Sequence, residues 1–100
     1  MRFSWSPPAM RDRVGIYDYI EGDSPRAAAD VDDRLTERIR ALLEFPQSGR
    51  PGRMPETREL VVAGTSYVVA YSVRDDVVRI LRILHGAQRW PQDAEEDAGL

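Results

Sequence analysis

The chain has 100 residues with a net charge of −3, and all 14 of its basic residues are arginine. That length fits one domain able to bury roughly two-thirds of its unfolded surface, which excludes a multi-domain enzyme or a large cofactor-binding fold. With no cysteine and one histidine, His85, it also excludes a disulfide scaffold, a thiolate zinc site, a cysteine nucleophile and a histidine-cluster metal site, so neither a cofactor nor a metal is expected.

The elements follow in chain order. Arg2 to Trp5 alternates around Phe3 and Trp5 and predicts a short strand. Ser6 then suits a helix N-cap, with Pro7 at the first helical position. From Pro8 to about Glu21, Met10, Val14, Tyr17 and Ile20 fall near helical spacing. Gly15 weakens that helix, and close approach of a second helix would account for it. Gly22-Asp23-Ser24-Pro25 breaks the helix and starts another. In the second, Ala28, Val31, Leu35, Ile39 and Leu42 form one apolar stripe, and Phe45-Pro46 ends it.

Residues 46–57 hold three prolines and two glycines and predict a loop. The period then changes from helical to alternating. Arg58 to Val62, Ser66 to Val73 and Val77 to Leu84 read as three strands, joined by turns at Ala63-Gly64-Thr65 and Arg74-Asp75-Asp76. Short turns imply antiparallel neighbours. The order is β-α-α-β-β-β, a two-layer α+β domain with a helical hairpin packed on a small antiparallel sheet. Residues 1–91 are expected to form this single domain. Residues 92–100 are expected to be an acidic, disordered tail. The N-terminus has no apolar core for a signal peptide, and no apolar run approaches the roughly 20 residues that span a bilayer. The expectation is a soluble, cytoplasmic protein with no membrane partner.

Catalytic constellations are sparse. Ser48-Gly49-Arg50-Pro51-Gly52 lacks the lysine and following helix of a phosphate loop. No serine has a nucleophile-elbow setting. Asp32-Asp33 and Asp75-Asp76 read as solvated charges on a helix face and in a hairpin turn. The charge distribution is more informative. Residues 46–91 hold seven arginines against four acids, whereas residues 92–100 hold four acids and no arginine.

Arg58 opens a strand, Arg79 and Arg82 lie within the last one, and Arg89 follows it. This set reads in two ways. It binds RNA phosphates or a carboxylate-rich partner, or it shields a solvent-facing surface by pairing with Glu59 or Asp76. Arg79 and Arg82 are three apart and so point to opposite faces of a regular strand. At least one then meets the helical layer or its margin and needs a partner there. His85 closes the last strand, either as a structural residue or as an acid or base. Trp90 closes the edge of the core or contacts a partner.

In this order and spacing, the residues resemble the RelE/ParE superfamily of bacterial toxins from type II toxin–antitoxin modules. The resemblance runs from Phe3 to Pro91. It is carried by Phe3-Ser4-Trp5-Ser6-Pro7, Ser24-Pro25-Arg26-Ala27-Ala28, Leu43-Glu44-Phe45-Pro46, Gly49-Arg50-Pro51-Gly52, Thr57-Arg58-Glu59-Leu60, the stretch Tyr67 to Val73, and Val78 to Gly86. It implies the β-α-α-β-β-β fold, a cognate antitoxin as partner, and contact with operator DNA only through that antitoxin. RelE-like members cleave messenger RNA on the ribosome; ParE-like members inhibit DNA gyrase. The arginine of RelE-like nucleases in the penultimate strand aligns with Val68, their lysines have no counterpart, and no tyrosine accompanies His85. Glu56 is the remaining candidate for a catalytic glutamate. The resemblance therefore favours the ParE-like branch, acting by binding. The expected target- or partner-binding residues are Arg58, Arg79, Arg82, His85, Arg89 and Trp90. The alternatives are a ribonuclease using His85 with Arg58 and Arg82, and a decayed toxin that serves only as an antitoxin-binding co-repressor.

Overall fold

A computed structural model describes residues 1–86 and 88–91. The predicted acidic tail, residues 92–100, lies outside the described residues. The chain runs β1 (Arg2–Trp5), α1 (Pro7–Glu21), α2 (Pro25–Ala41), β2 (Arg50–Pro51), β3 (Arg58–Val61), β4 (Tyr67–Arg74) and β5 (Val77–His85). The strands form one sheet in the order β1-β5-β4-β3-β2. β2 to β5 pair antiparallel, as the short turns require. β1 pairs parallel with β5, so the sheet is mixed rather than wholly antiparallel. The reason is topological: the helical hairpin separates β1 from the meander and lets the first strand join the far edge in either direction. The predicted 46–57 loop also contributes the two residues of β2, which pair with Arg58 and Glu59.

Both helices start where their caps place them. The Ser6 and Ser24 hydroxyls accept the N–H groups of Ala9 and Ala27, each at 3.1 Å, with prolines at the first helical positions. α2 buries the predicted stripe, with Ala28, Leu35, Ile39 and Leu42 buried against the sheet and Val31 partly so. It ends at Ala41, earlier than Phe45-Pro46, because 3₁₀-type bonds from Leu42, Leu43 and Glu44 tighten the exit.

The predicted stripe of α1 is turned the other way. Met10 and Val14 are exposed, whereas Ala9 is fully buried and Ile16 packs on the core. α1 thus packs through Ala9 and Ile16 and leaves its Met10 and Val14 face open. Nor does a second helix approach Gly15, where a Cβ would meet open space.

The core lies between the helices and one sheet face, around Leu35, Ile39, Leu60, Val69, Tyr71, Val78, Ile80 and Ile83. Tyr71 carries a polar group into it. Its hydroxyl donates to the Pro46 carbonyl at 2.8 Å and accepts from the Gly49 N–H at 2.9 Å, anchoring the loop before β2. A Cβ at position 49 would stand 2.6 Å from that oxygen, so glycine is required there. The β4–β5 turn is a two-residue hairpin with positive φ at both Asp75 (51°) and Asp76 (62°), the twist-compatible geometry.

One irregularity sets where the predicted site residues of β5 stand. Tyr71 faces Ile80 while Ala70 faces Arg82, so Leu81 is an extra residue on β5. The bulge breaks the two-residue alternation. Ile80 and Ile83, three apart, both face the helices.

Candidate functional site

Arg82 and Arg79 illustrate what the bulge does. β1 ends beside Ile80, where the Ser6 N–H reaches the Ile80 carbonyl at 2.9 Å. Beyond that point β5 has no strand on this side, and α1 takes over. The Ser6 hydroxyl donates to the Leu81 carbonyl at 2.8 Å, and the Asp12 carboxylate accepts the Ile83 N–H at 2.9 Å. Arg82 forks onto the same carboxylate, with its Nε at 2.7 Å and an Nη at 3.1 Å. Both side chains are largely buried, at 9% and 16% exposure. Arg82 meets the margin of the helical layer through Asp12, although the bulge at Leu81 removes the regular alternation on which the sequence argument rested.

Glu59 is 3% exposed and is held by the Arg50 and Arg53 guanidinium groups at 3.5 and 3.2 Å and by the Arg53 N–H at 2.9 Å. Arg53 also donates to the Gln88 carbonyl at 2.7 Å. The β2–β3 loop is thereby tied to the segment after β5. Trp90 packs there on Ala70 and Leu84, with Leu81 alongside, and closes that part of the sheet's outer face.

Arg79 lies on the other side of the bulge. It is exposed, and its guanidinium donates to the Ser4 hydroxyl at 2.7 Å. It joins Arg2, Ser4, Arg58, Ser72 and Arg74 around an open basin of about 990 Å³ on the sheet's outer face and end. Two acids, Glu56 and Asp75, share its lining, and Glu56 lies 3.8 Å from Arg74. Arg58 is braced by the Gly49 and Gln47 carbonyls at 2.8 and 3.3 Å. The basin therefore offers four guanidinium groups, two of them, Arg58 and Arg79, held by hydrogen bonds, suited to carboxylates or phosphates.

His85 lies elsewhere. Its ring meets Tyr67 edge-on at 6.0 Å, and it borders a cleft beside α1 lined by Arg11, Asp12, Tyr19 and Gln88. Desolvation raises the Tyr67 phenol above its ordinary range. Arg89 is exposed beside buried Trp90. Of the predicted residues, the basin gathers Arg58 and Arg79, together with the candidate glutamate Glu56. Arg82, His85 and Trp90 occupy three other settings. Arg2, Ser4, Ser72 and Arg74 were not predicted; the parallel pairing of β1 with β5 puts the first two beside Arg79, and no local sequence signal reveals that.

A third feature is the open face of α1. Met10, Val14 and Tyr17, with Trp5, line an apolar groove bordered by Arg13, Asp18 and Asp32. Arg13 lies 5.6 Å over the Trp5 ring and forks onto Asp32 at 2.8 and 2.9 Å. That bond holds the Asp32 carboxyl below its usual range and raises Arg13. Asp32 is therefore a structural pair to α1 rather than a purely solvated charge. Among the described residues no group of acids and histidine could hold a metal ion, and no helix is long and apolar enough to cross a membrane.

The molecule is a small α+β domain, a helical hairpin on a mixed sheet, with a basic sheet face on one side and an apolar helix face on the other. The comparisons are specific. Residues 3–90 match the family described as the ParE toxin of the type II toxin–antitoxin system, parDE. Y4kP of Sinorhizobium fredii is 46% identical over 91 residues, covering 91% of this chain and 94% of that protein. Toxin RelE2 of Caulobacter vibrioides is 40% identical over 84 residues, covering 84% and 93%. The fold matches the chromosomal ParDE toxin–antitoxin system of P. aeruginosa with a TM-score of 0.76 at 26% identity, covering 85% of this chain and 95% of that one. It also matches the intact E. coli RelBE complex with a TM-score of 0.66, covering 87% and 96%; at 18% identity this likeness is one of fold. The chain belongs to the ParE toxin family of type II toxin–antitoxin systems.

Proposed function

We propose that this toxin acts by binding DNA gyrase, is neutralised by a cognate antitoxin, and does not cleave RNA. The observation that carries this reading is the dispersal of the groups a nuclease would need. Arg58 borders the basin, His85 borders the cleft beside α1, and Arg82 is forked onto Asp12. General acid–base chemistry needs its groups within hydrogen-bond reach of one scissile bond; the basin holds Arg58 without His85, the cleft holds His85 without Arg58, and Arg82 lines neither. Val68, at the position that aligns with the nuclease arginine, is 6% exposed and apolar. The match to the ParE family and to a ParDE structure supports the same branch.

The antitoxin's contact surfaces are the exposed face of α1 and the arginine-bearing sheet. A disordered segment gains affinity by burying apolar side chains as it folds on its partner, and Met10 and Val14, 58% and 60% exposed, offer such a surface. The protein works in the cytoplasm, where both proposed partners reside, and touches operator DNA only through the antitoxin.

The test is a pair of assays on the purified chain. Inhibited gyrase supercoiling with intact messenger RNA on translating ribosomes is the expected result. Cleaved messenger RNA with normal supercoiling overturns it. In that case His85→Ala should abolish cleavage and leave antitoxin binding unchanged.

A further inference from the structure

We propose that the acidic C-terminal segment, residues 92–100, docks in the arginine-lined basin on the sheet's outer face and occupies it in the free toxin. Three observations combine. The first is the basin's charge. Arg2, Arg58, Arg74 and Arg79 border it against two acids, and one of these, Glu56, already lies beside Arg74. The segment carries Asp93, Glu95, Glu96 and Asp97 and no base. Guanidinium groups bind carboxylates as planar forks, so this complementarity is chemical as well as electrostatic.

The second is where the segment starts. Leu81 borders the basin and also packs on the cluster of Ala70, Leu84 and Trp90. Trp90 is buried there, and Pro91 follows it. Trp90 thus anchors the end of the described chain on the basin's own side of the sheet, next to Leu81 at its rim.

The third is reach. Nine residues extend up to about 30 Å. The stretch of β5 that borders the basin, Val77 to Leu81, spans roughly 13 Å. The segment is long enough to lay its carboxylates along the basin without any movement of Trp90.

The consequence is competition. Any acidic or phosphate-bearing surface that engages Arg79 and its neighbours must first displace the segment, so the chain carries its own occupant for its most basic face. This holds whichever partner the toxin engages.

The absence of cysteine allows a direct test. A nitroxide attached to the full chain through Ala98→Cys should strip most of the intensity from the Ser4, Ser72 and Arg79 amide signals at low salt. The signals should return in about 0.5 M salt, where exposed charges are screened within a few ångströms. They should also return when the segment is neutralised by Asp93→Asn, Glu95→Gln, Glu96→Gln and Asp97→Asn, and when the basin is neutralised by Arg74→Gln with Arg79→Gln. Undiminished Ser4, Ser72 and Arg79 signals at low salt overturn the proposal. So does attenuation that survives either set of substitutions, or that falls instead on the amides of α1. The readout involves neither gyrase nor antitoxin.

Discussion

The two halves of β5 carry the same kind of residue into different roles. Before the bulge at Leu81, the strand is flanked by β1 and β4, and Arg79 projects into the open basin. After it, β1 has ended and α1 supplies the missing edge partner through Asp12, which holds Arg82 and the Ile83 N–H together. An arginine on a sheet is therefore left open to solvent or tied into the fold according to what flanks the strand at that point. Strand position alone does not decide it.

The largest expected effect comes from the second half. Asp12→Ala leaves Arg82 largely buried without this partner and the Ile83 N–H without its acceptor. Removing one member of a buried pair costs about 3–5 kcal/mol. The partial exposure here puts the loss near the lower end, a fall in melting temperature of about 15 °C for a chain this size. Replacing both residues, Asp12→Leu with Arg82→Met, should recover much of that by removing both charges. The Ile83 N–H stays unpaired, so recovery is incomplete. Thermal unfolding of the three chains measures the difference.

Ser6 serves both halves at once. Its hydroxyl caps α1 and closes the Leu81 carbonyl at the bulge. Ser6→Ala removes a cap and a cross-element bond from a buried site, for an expected loss of about 1–2 kcal/mol. Hydrogen exchange sharpens the comparison: protection should fall at the α1 N-terminus and around Leu81 to Ile83, while Val78 to Ile80 change least.

These dependencies also show what the sequence could and could not reveal. α2 was legible because its apolar stripe of Ala28, Leu35 and Ile39 is continuous and is the face that packs. In α1, helical spacing grouped Met10, Val14, Tyr17 and Ile20; the first three line one groove while Ile20 falls with Ile16 on the cleft beside β5, and spacing cannot say which face the core takes. Ala9 and Ile16 are the residues that meet the core. The arginines were legible as a set, and Arg79 as a member of an exposed face. The Arg82–Asp12 pair joins residues 70 apart through a bulge, and the basin depends on a parallel strand contributed from the other end of the chain. Neither leaves a local pattern in the sequence.

A smaller effect is set by pH. The Arg13 bond lowers the Asp32 carboxyl in the folded protein. Its contribution to stability is full above the ordinary carboxylate range, about pH 4, and is lost as pH falls through the lowered value. The pair is partly exposed and open to screening, so it is worth under about 1 kcal/mol. Asp32→Asn should lower stability slightly at neutral pH, and should narrow the gap to the parent chain as both are acidified. Urea unfolding at several pH values follows that gap.

The smallest effect on stability belongs to Arg79→Ala. Arg79 is exposed and its bond to the Ser4 hydroxyl lies at the surface, so unfolding should shift by no more than about 0.5 kcal/mol. Its effect on binding should be out of proportion to that. Arg79 sits between Ser4 and Ser72 at the centre of the basin's register, paired across β1 and β4. Removing it takes away the guanidinium best placed to bridge an incoming anion to both neighbouring strands. Gyrase inhibition or antitoxin affinity should weaken while the melting curve stays in place. The Asp12→Ala chain should show the reverse, a lowered melting curve with binding retained at temperatures where it is folded. If Arg79→Ala instead unfolds the protein, or leaves both binding activities untouched, the division of β5 into a supporting half and an engaging half fails at its most exposed residue.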